Sequence, residues 1–130
     1  MRFWGALFCA SVMVMPMLSG AAQAQQENGR SAPFPFQGGQ AIFTGVCQGC
    51  HMPDAKGATG AGTYPALAKN PKLAVAGYPI SVIVNGQKAM PPLGKMLSDQ
   101  QVADVVNYIR THFGNDYKDA VKPADVKAVR

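Results

Sequence analysis

The chain has 130 residues, 15% of them charged, and a formal net charge of +5. A length of this order supports one domain. Its Lys and Arg residues are scattered and form no run interleaved with aromatics, so nucleic-acid binding has no support in the sequence.

Residues 1–24 read as a secretory signal peptide. Arg2 supplies a positive start, Phe3 to Leu18 is almost wholly apolar, and Ala22-Gln23-Ala24 offers a small-residue cleavage site before Gln25. Pro16 interrupts the apolar run and no stop-transfer flank follows, so a retained anchor is the weaker reading. Cleavage would remove Cys9 and Arg2, leaving Cys47 and Cys50 as the thiols and lowering the charge from +5 to +4. Residues 25–37, with Gly29, Ser31, Pro33 and Pro35, form an irregular linker. One domain is expected over 38–114, with a C-terminal tail over 115–130. A domain this small buries a limited core, and an apolar prosthetic group would supply much of what is missing.

Gly38 to Val46 is helix-compatible, with Ile42, Phe43 and Val46 on one stripe. Cys47-Gln48-Gly49-Cys50-His51 follows. Two thiols three residues apart lie on one side of a helical turn, with an imidazole next to them. That spacing suits thioether attachment of both sulfurs to one haem, with His51 directed at the iron. Three other readings compete. A redox dithiol normally follows a strand, and no strand pattern precedes Cys47. A zinc site would need Cys47, Cys50, His51 and His112, yet no second pair has finger-like spacing. A structural disulfide would leave His51 without a role. Haem attachment is preferred, and it agrees with export, because thioethers to haem form outside the cytoplasm.

Pro53 to Gly62 is a Gly-rich loop without phosphate-binding spacing. Tyr64-Pro65-Ala66-Leu67 ends it. The Pro65 carbonyl is a candidate acceptor for the second ring nitrogen of His51, a contact that fixes tautomer and orientation. Asn70-Pro71 marks a turn or helix start. Pro79 to Val84 is a β-branched run that reads as a helix, with Pro79 near its first position and Asn85-Gly86 at its end. Met90-Pro91-Pro92 follows. Pro91 holds Met90 in extended backbone, which suits a loop offering one thioether to iron. Met96 is the competing ligand but lies against the next helix, and Met52 is too near His51 to reach the opposite face.

Ser98 and Gln101 form a capping box, with Leu97 and Val102 as a hydrophobic staple. Val102, Val105, Val106, Ile109 and Phe113 then share a helical face, and Gly114 is the stop. Val105 and Tyr108 are candidates to pack on Gly39 and Phe43. His112 reads as a surface residue.

In this order the pentad, Pro65-Ala66-Leu67, Met90-Pro91-Pro92 and the Ser98 helix with Tyr108 resemble small mono-haem class I-like c-type cytochromes, over Gly38 to Phe113. The resemblance implies an all-α fold of three to five short helices around one covalent haem c. It implies His51 and Met90 as axial ligands, Cys47 and Cys50 as attachment points, and Pro65 as the His51 acceptor. A narrower likeness rests on Tyr64-Pro-Ala-Leu, Met90-Pro-Pro-Leu-Gly and the stretch Val121 to Arg130. It is to cytochrome subunits serving periplasmic quinoprotein dehydrogenases. The implied role is single-electron transfer in the periplasm, without catalysis, from a dehydrogenase or other donor to a terminal oxidase or cytochrome acceptor. A dedicated dehydrogenase subunit is the alternative, and a haem peroxidase a weaker one. No stable membrane insertion is expected once the signal is removed. The family leaves one haem edge uncovered, and the segments expected around it carry Lys56, Lys88 and Lys95, with Asp54 the nearby acid.

Overall fold

The most regular element is helix α4 (Asp99–Thr111), and the sequence explains both its start and its buried face. In the computed structural model, which describes residues 34–130, Ser98 Oγ accepts from the Gln101 amide at 3.2 Å, and Gln101 Oε1 accepts from the Ser98 amide at 2.9 Å. This reciprocal cap satisfies two orphan donors of the first turn. Val102, Val105, Val106 and Ile109 are then buried at helical spacing, and Leu97 is buried beside the start. The helix ends at Thr111, earlier than the apolar pattern implied. Phe113 lies beyond it in left-handed backbone (φ 58°), yet its ring packs 4.8 Å from that of Phe43.

The first helix runs in three pieces: α1 (Gly39–Ile42), a π-helical turn (Phe43–Cys47) and α2 (Gln48–His51). It crosses α4 at Gly39. A Cβ built on Gly39 would lie 2.2 Å from the Asp104 carbonyl oxygen and 2.5 Å from Tyr108 Cβ, so only glycine permits the approach. Phe43 closes the crossing, its ring 5.7 Å from that of Tyr108.

The expected helix over the β-branched run is α3 (Gly77–Asn85), begun two residues before Pro79. Pro79 falls in the first turn, where its missing N–H removes no intrahelical bond. Ile80, Ile83 and Val84 are buried, and Gly86 ends the helix at φ 75°. A short 3-10 turn (Pro71–Ala74) precedes it, capped by Asn70 Oδ1, which accepts from the Lys72 amide at 3.0 Å. A small antiparallel hairpin, β1 (Ala58–Thr59) and β2 (Thr63–Tyr64), forms within the Gly-rich loop.

The segments on either side of the expected domain fold onto it. Gln101 Nε2 donates to the Phe34 and Phe36 carbonyls at 2.9 and 2.8 Å, which ties the end of the linker to α4. Residues 115–130, read from the sequence as a tail, pack as part of the body. Val121 and Val126 are buried, the latter within α5 (Pro123–Lys127). Asn107 exchanges two hydrogen bonds with the Val121 backbone, at 2.9 and 2.8 Å. The Arg110 guanidinium is fully buried. It donates to the Leu73 and Ala74 carbonyls at 2.8 and 3.1 Å and to the Asp119 carboxylate at 2.6 Å. The expected signal peptide and most of the linker lie outside the described residues. Among those described, no helix is long and apolar enough to cross a membrane.

Candidate functional site

The pentad occupies the end of the first helix. Cys47 closes the π-helical turn, while Cys50 and His51 lie in α2. The Gln48 amide reaches back to the Phe43 carbonyl, five residues away, which widens this turn just ahead of the second thiol. The Phe36 ring lies over Gly45 inside that turn, where a Cβ would meet its edge at 2.5 Å. Among the described residues both cysteines are free thiols, Cys47 half-buried and Cys50 exposed. Burial, and secondarily the neighbouring Cys50, pushes the Cys47 thiol up to about 12. Redox dithiols lower the thiol pKa to gain reactivity, so this environment is the opposite of theirs.

The chain reverses direction immediately after His51. Met52 takes a positive φ of 66°, the Gly57 amide donates to the His51 carbonyl at 3.0 Å, and the buried Ala55 carbonyl accepts from the Leu67 and Ala68 amides at 2.8 and 2.9 Å. Gly57 has φ 69°, and a Cβ there would lie 2.1 Å from the Tyr64 carbonyl oxygen. Glycine therefore lets the two strands of this loop touch backbone to backbone.

That folding brings Pro65 to the histidine. His51 is 8% exposed, and its Nδ1 lies 2.9 Å from the Pro65 carbonyl oxygen. A carbonyl only accepts, so Nδ1 is the donor, which leaves Nε2 as the ring nitrogen able to offer a lone pair. An imidazole so fixed is ready to ligate a metal through Nε2. With two thiols on the preceding turn, these residues fit a covalently attached haem.

Met90 lies on another loop. Its amide and carbonyl pair with the carbonyl and amide of Gln87, both at 3.0 Å, making a tight turn before Pro91. Met90 is half-buried and joins the same apolar cluster as Cys47, whereas Met96 is 38% exposed. No hydrogen bond ties the Met90 loop to the pentad among the described residues. His112 is exposed, with its ring 4.1 Å from that of Tyr108 and its Nδ1 2.9 Å from the Tyr108 carbonyl. Among the described residues no three His, Cys, Asp or Glu side chains gather into a metal-holding group, so the four zinc ligands considered from the sequence are not assembled.

Sequence reasoning missed Gly57 and Asn115. Gly57 was one of several glycines in a loop, and nothing in the pattern singled it out. Asn115 follows the helix stop, where a polar residue is ordinary, yet it is 6% exposed and bonds to the segment that carries Pro65.

Residues 35–109 match the family model described as "Cytochrome C oxidase, cbb3-type, subunit III". The chain is 37% identical over 117 residues to the cytochrome c subunit of alcohol dehydrogenase (quinone) from Gluconacetobacter polyoxogenes, an alignment covering 79% of this chain and 24% of that one. It therefore spans about a quarter of the length of that curated relative. Cytochrome c6 of Rippkaea orientalis is 27% identical over 113 residues, covering 86% of this chain and 89% of that protein. Among solved structures, cytochrome cL from Methylophaga aminisulfidivorans superposes with a TM-score of 0.50 at 23% identity, over 71% of this chain and 63% of the other. That last likeness is one of fold.

Proposed function

The chain belongs to the cytochrome c family, and we propose that it passes one electron at a time between exported redox proteins on a single haem c. The observation that carries this reading is the 2.9 Å contact from His51 Nδ1 to the Pro65 carbonyl, directly after two thiols on one helix. Haem c, when bound, supplies a one-electron ferric/ferrous couple. Cys47 and Cys50 would hold it by thioether bonds, and His51 would ligate through Nε2 while the Pro65 carbonyl holds the ring through Nδ1. Met90 would supply the second protein ligand, and a thioether ligand raises the reduction potential relative to harder ligands. With His51 and Met90 both supplied by the chain, no substrate would need to reach the iron, which supports transfer rather than catalysis. A peroxidase would require distal acid–base groups, and no His or carboxylate neighbours Met90 in the sequence.

We place the protein in the periplasm, with a dehydrogenase as donor and a terminal oxidase or second cytochrome as acceptor. A second reading, as a dedicated dehydrogenase subunit, is favoured by the likeness to the alcohol dehydrogenase cytochrome subunit. Co-elution with a large partner at low concentration would select it over a diffusing carrier.

The test is direct. Protein matured in a haem-attaching periplasm should keep its haem after denaturation and show the added mass of one macrocycle. Bound zinc or the bare polypeptide mass would refute the reading. Met90→Ala should abolish the weak sulfur-to-iron band of the oxidised protein and lower its potential, while Met96→Ala leaves both in place. The reverse pattern would move the ligand to Met96.

A further inference from the structure

Residues 65–70 form a short span with the Pro65 carbonyl at one end, and most of their other polar groups are tied to two places. On one side, the Ala55 carbonyl accepts from the Leu67 and Ala68 amides. On the other, residues 113–117 grip the span. Asn115 Nδ2 donates to the Leu67 carbonyl at 2.8 Å and to the Ile109 carbonyl at 2.8 Å, and its Oδ1 accepts from the Asn70 amide at 2.9 Å. The Phe113 carbonyl accepts from the Lys69 amide at 3.2 Å, and Lys69 takes a positive φ of 49° to meet it. Asn70 Nδ2 closes the span on itself by donating to the Ala66 carbonyl at 2.7 Å.

Asn115 is thus one buried side chain linking the end of α4, through Ile109, to both ends of residues 67–70. Only Ala66 separates Leu67 from Pro65. A planar peptide joins the Pro65 carbonyl to Ala66, and the Ala66 carbonyl is held at 2.7 Å by Asn70 Nδ2, whose own backbone amide Asn115 holds, so a shift of residues 67–70 is carried toward the Pro65 carbonyl. A buried amide whose hydrogen bonds are all made costs its full desolvation when one partner is lost, so the arrangement holds one geometry.

We infer that Asn115 is the positioning residue of the candidate axial histidine, setting through Leu67 how squarely the Pro65 carbonyl meets His51 Nδ1. This rests on the reading of His51 as an iron ligand. A stronger hydrogen bond from Nδ1 makes the imidazole a more electron-rich ligand, so loosening it alters the reduction potential as well as stability.

The experiment compares Asn115→Ala and Asn115→Asp with Val126→Ala in the haem-loaded protein. Asn115→Asp keeps an acceptor for the Asn70 amide but loses the donor to Leu67 and Ile109. Val126→Ala loosens the same C-terminal segment from the core without touching 65–70. Three quantities are read: Tm, midpoint potential, and hydrogen exchange of His51 Nδ1–H by NMR in the reduced state. Both Asn115 variants should speed that exchange by about tenfold or more and shift the potential. Val126→Ala should lower Tm and leave both other values at wild type. If the Asn115 variants lower Tm alone, as Val126→Ala does, Asn115 is a structural residue only and the inference fails. Should Asn115→Ala not fold, Asn115→Asp and Asn115→Ser carry the same comparison. A wild-type spectrum without a histidine-ligated iron would overturn the ligand assignment and this inference with it, an outcome distinct from unchanged variants of a His51-ligated protein.

Discussion

Gly57 stands at the narrowest point of the loop that returns Pro65 to His51. Two independent facts exclude a side chain there, a positive φ of 69° and a Cβ that would sit 2.1 Å from the Tyr64 carbonyl oxygen. Gly57→Ala should therefore cost on the order of 2 kcal/mol or more, combining strained backbone with displaced neighbours. Chemical denaturation checks the stability, and faster His51 Nδ1–H exchange in the reduced protein would register the displaced Pro65. Gly77, whose Cβ would meet nothing within 4 Å and whose φ is ordinary, is the control, and Gly77→Ala should leave that exchange unchanged. The pentad and Pro65 were legible at this scale because their chemistry is tied to spacing and order. Gly57, Asn115 and Arg110 were not. Composition assigns polar and small residues of this kind to loops and surfaces, and only the tertiary fold makes the buried partners that reverse the assignment.

Between elements, the crossing of α1 and α4 and the clasp of residues 115–130 govern stability. Gly39→Ala forces a methyl against the Asp104 carbonyl and Tyr108, and should destabilise the fold by about 1–3 kcal/mol, as overpacked contacts do. A thermal melt read at the aromatic ellipticity of Phe43 and Tyr108 would register it. The clasp should depend on pH. The hydrogen bond from Arg110 holds the Asp119 carboxyl below its ordinary 3.8. A depressed folded-state pKa gives stability that is present above the unfolded value and is lost as pH falls through the folded one. Residues 115–130 should accordingly loosen below about pH 4, seen as faster amide exchange around Tyr117 and Val121, and Asp119→Asn should remove that dependence. Asp119 is exposed, so the effect should be local rather than global unfolding. The helices α3 and α4 were visible in the sequence because apolar spacing and caps repeat over whole turns. The π-helical turn was not, because its i to i−5 bonding leaves no mark on a stretch of five residues. The hairpin strands, two residues each, are too short to show alternation. Val121 and Val126 stand isolated among polar residues, so their burial could not be read from periodicity.

On the scale of the whole molecule, charge around the expected haem edge should govern how partners find it. Lys88 and Lys95 are exposed on the Met90 loop segments, and among the described residues neither takes part in an ion pair. Lys56 differs. Its Nζ lies 3.1 Å from Asp54 Oδ2, and Lys56 hydrogen bonds keep the Asp54 carboxyl below its usual range and ionised. That pair is close to neutral when seen from a distance, so the net positive field in these segments comes from Lys88 and Lys95. An acidic partner should be steered by that field, and the steering should fade as added salt shortens the Debye length. The effect belongs to the association rate more than to the lifetime of the complex. Removing two unneutralised charges with Lys88→Gln and Lys95→Gln should slow bimolecular electron transfer to an acidic partner by roughly three- to tenfold at low ionic strength. The double change Lys56→Gln with Asp54→Asn removes a neutral pair and should leave the rate near wild type. Stopped-flow rates across a salt series separate these cases. A wild-type rate indifferent to salt, with both double variants unchanged, would mean that docking relies on apolar contact, for which exposed Val75 and Tyr78 would be the first residues to test.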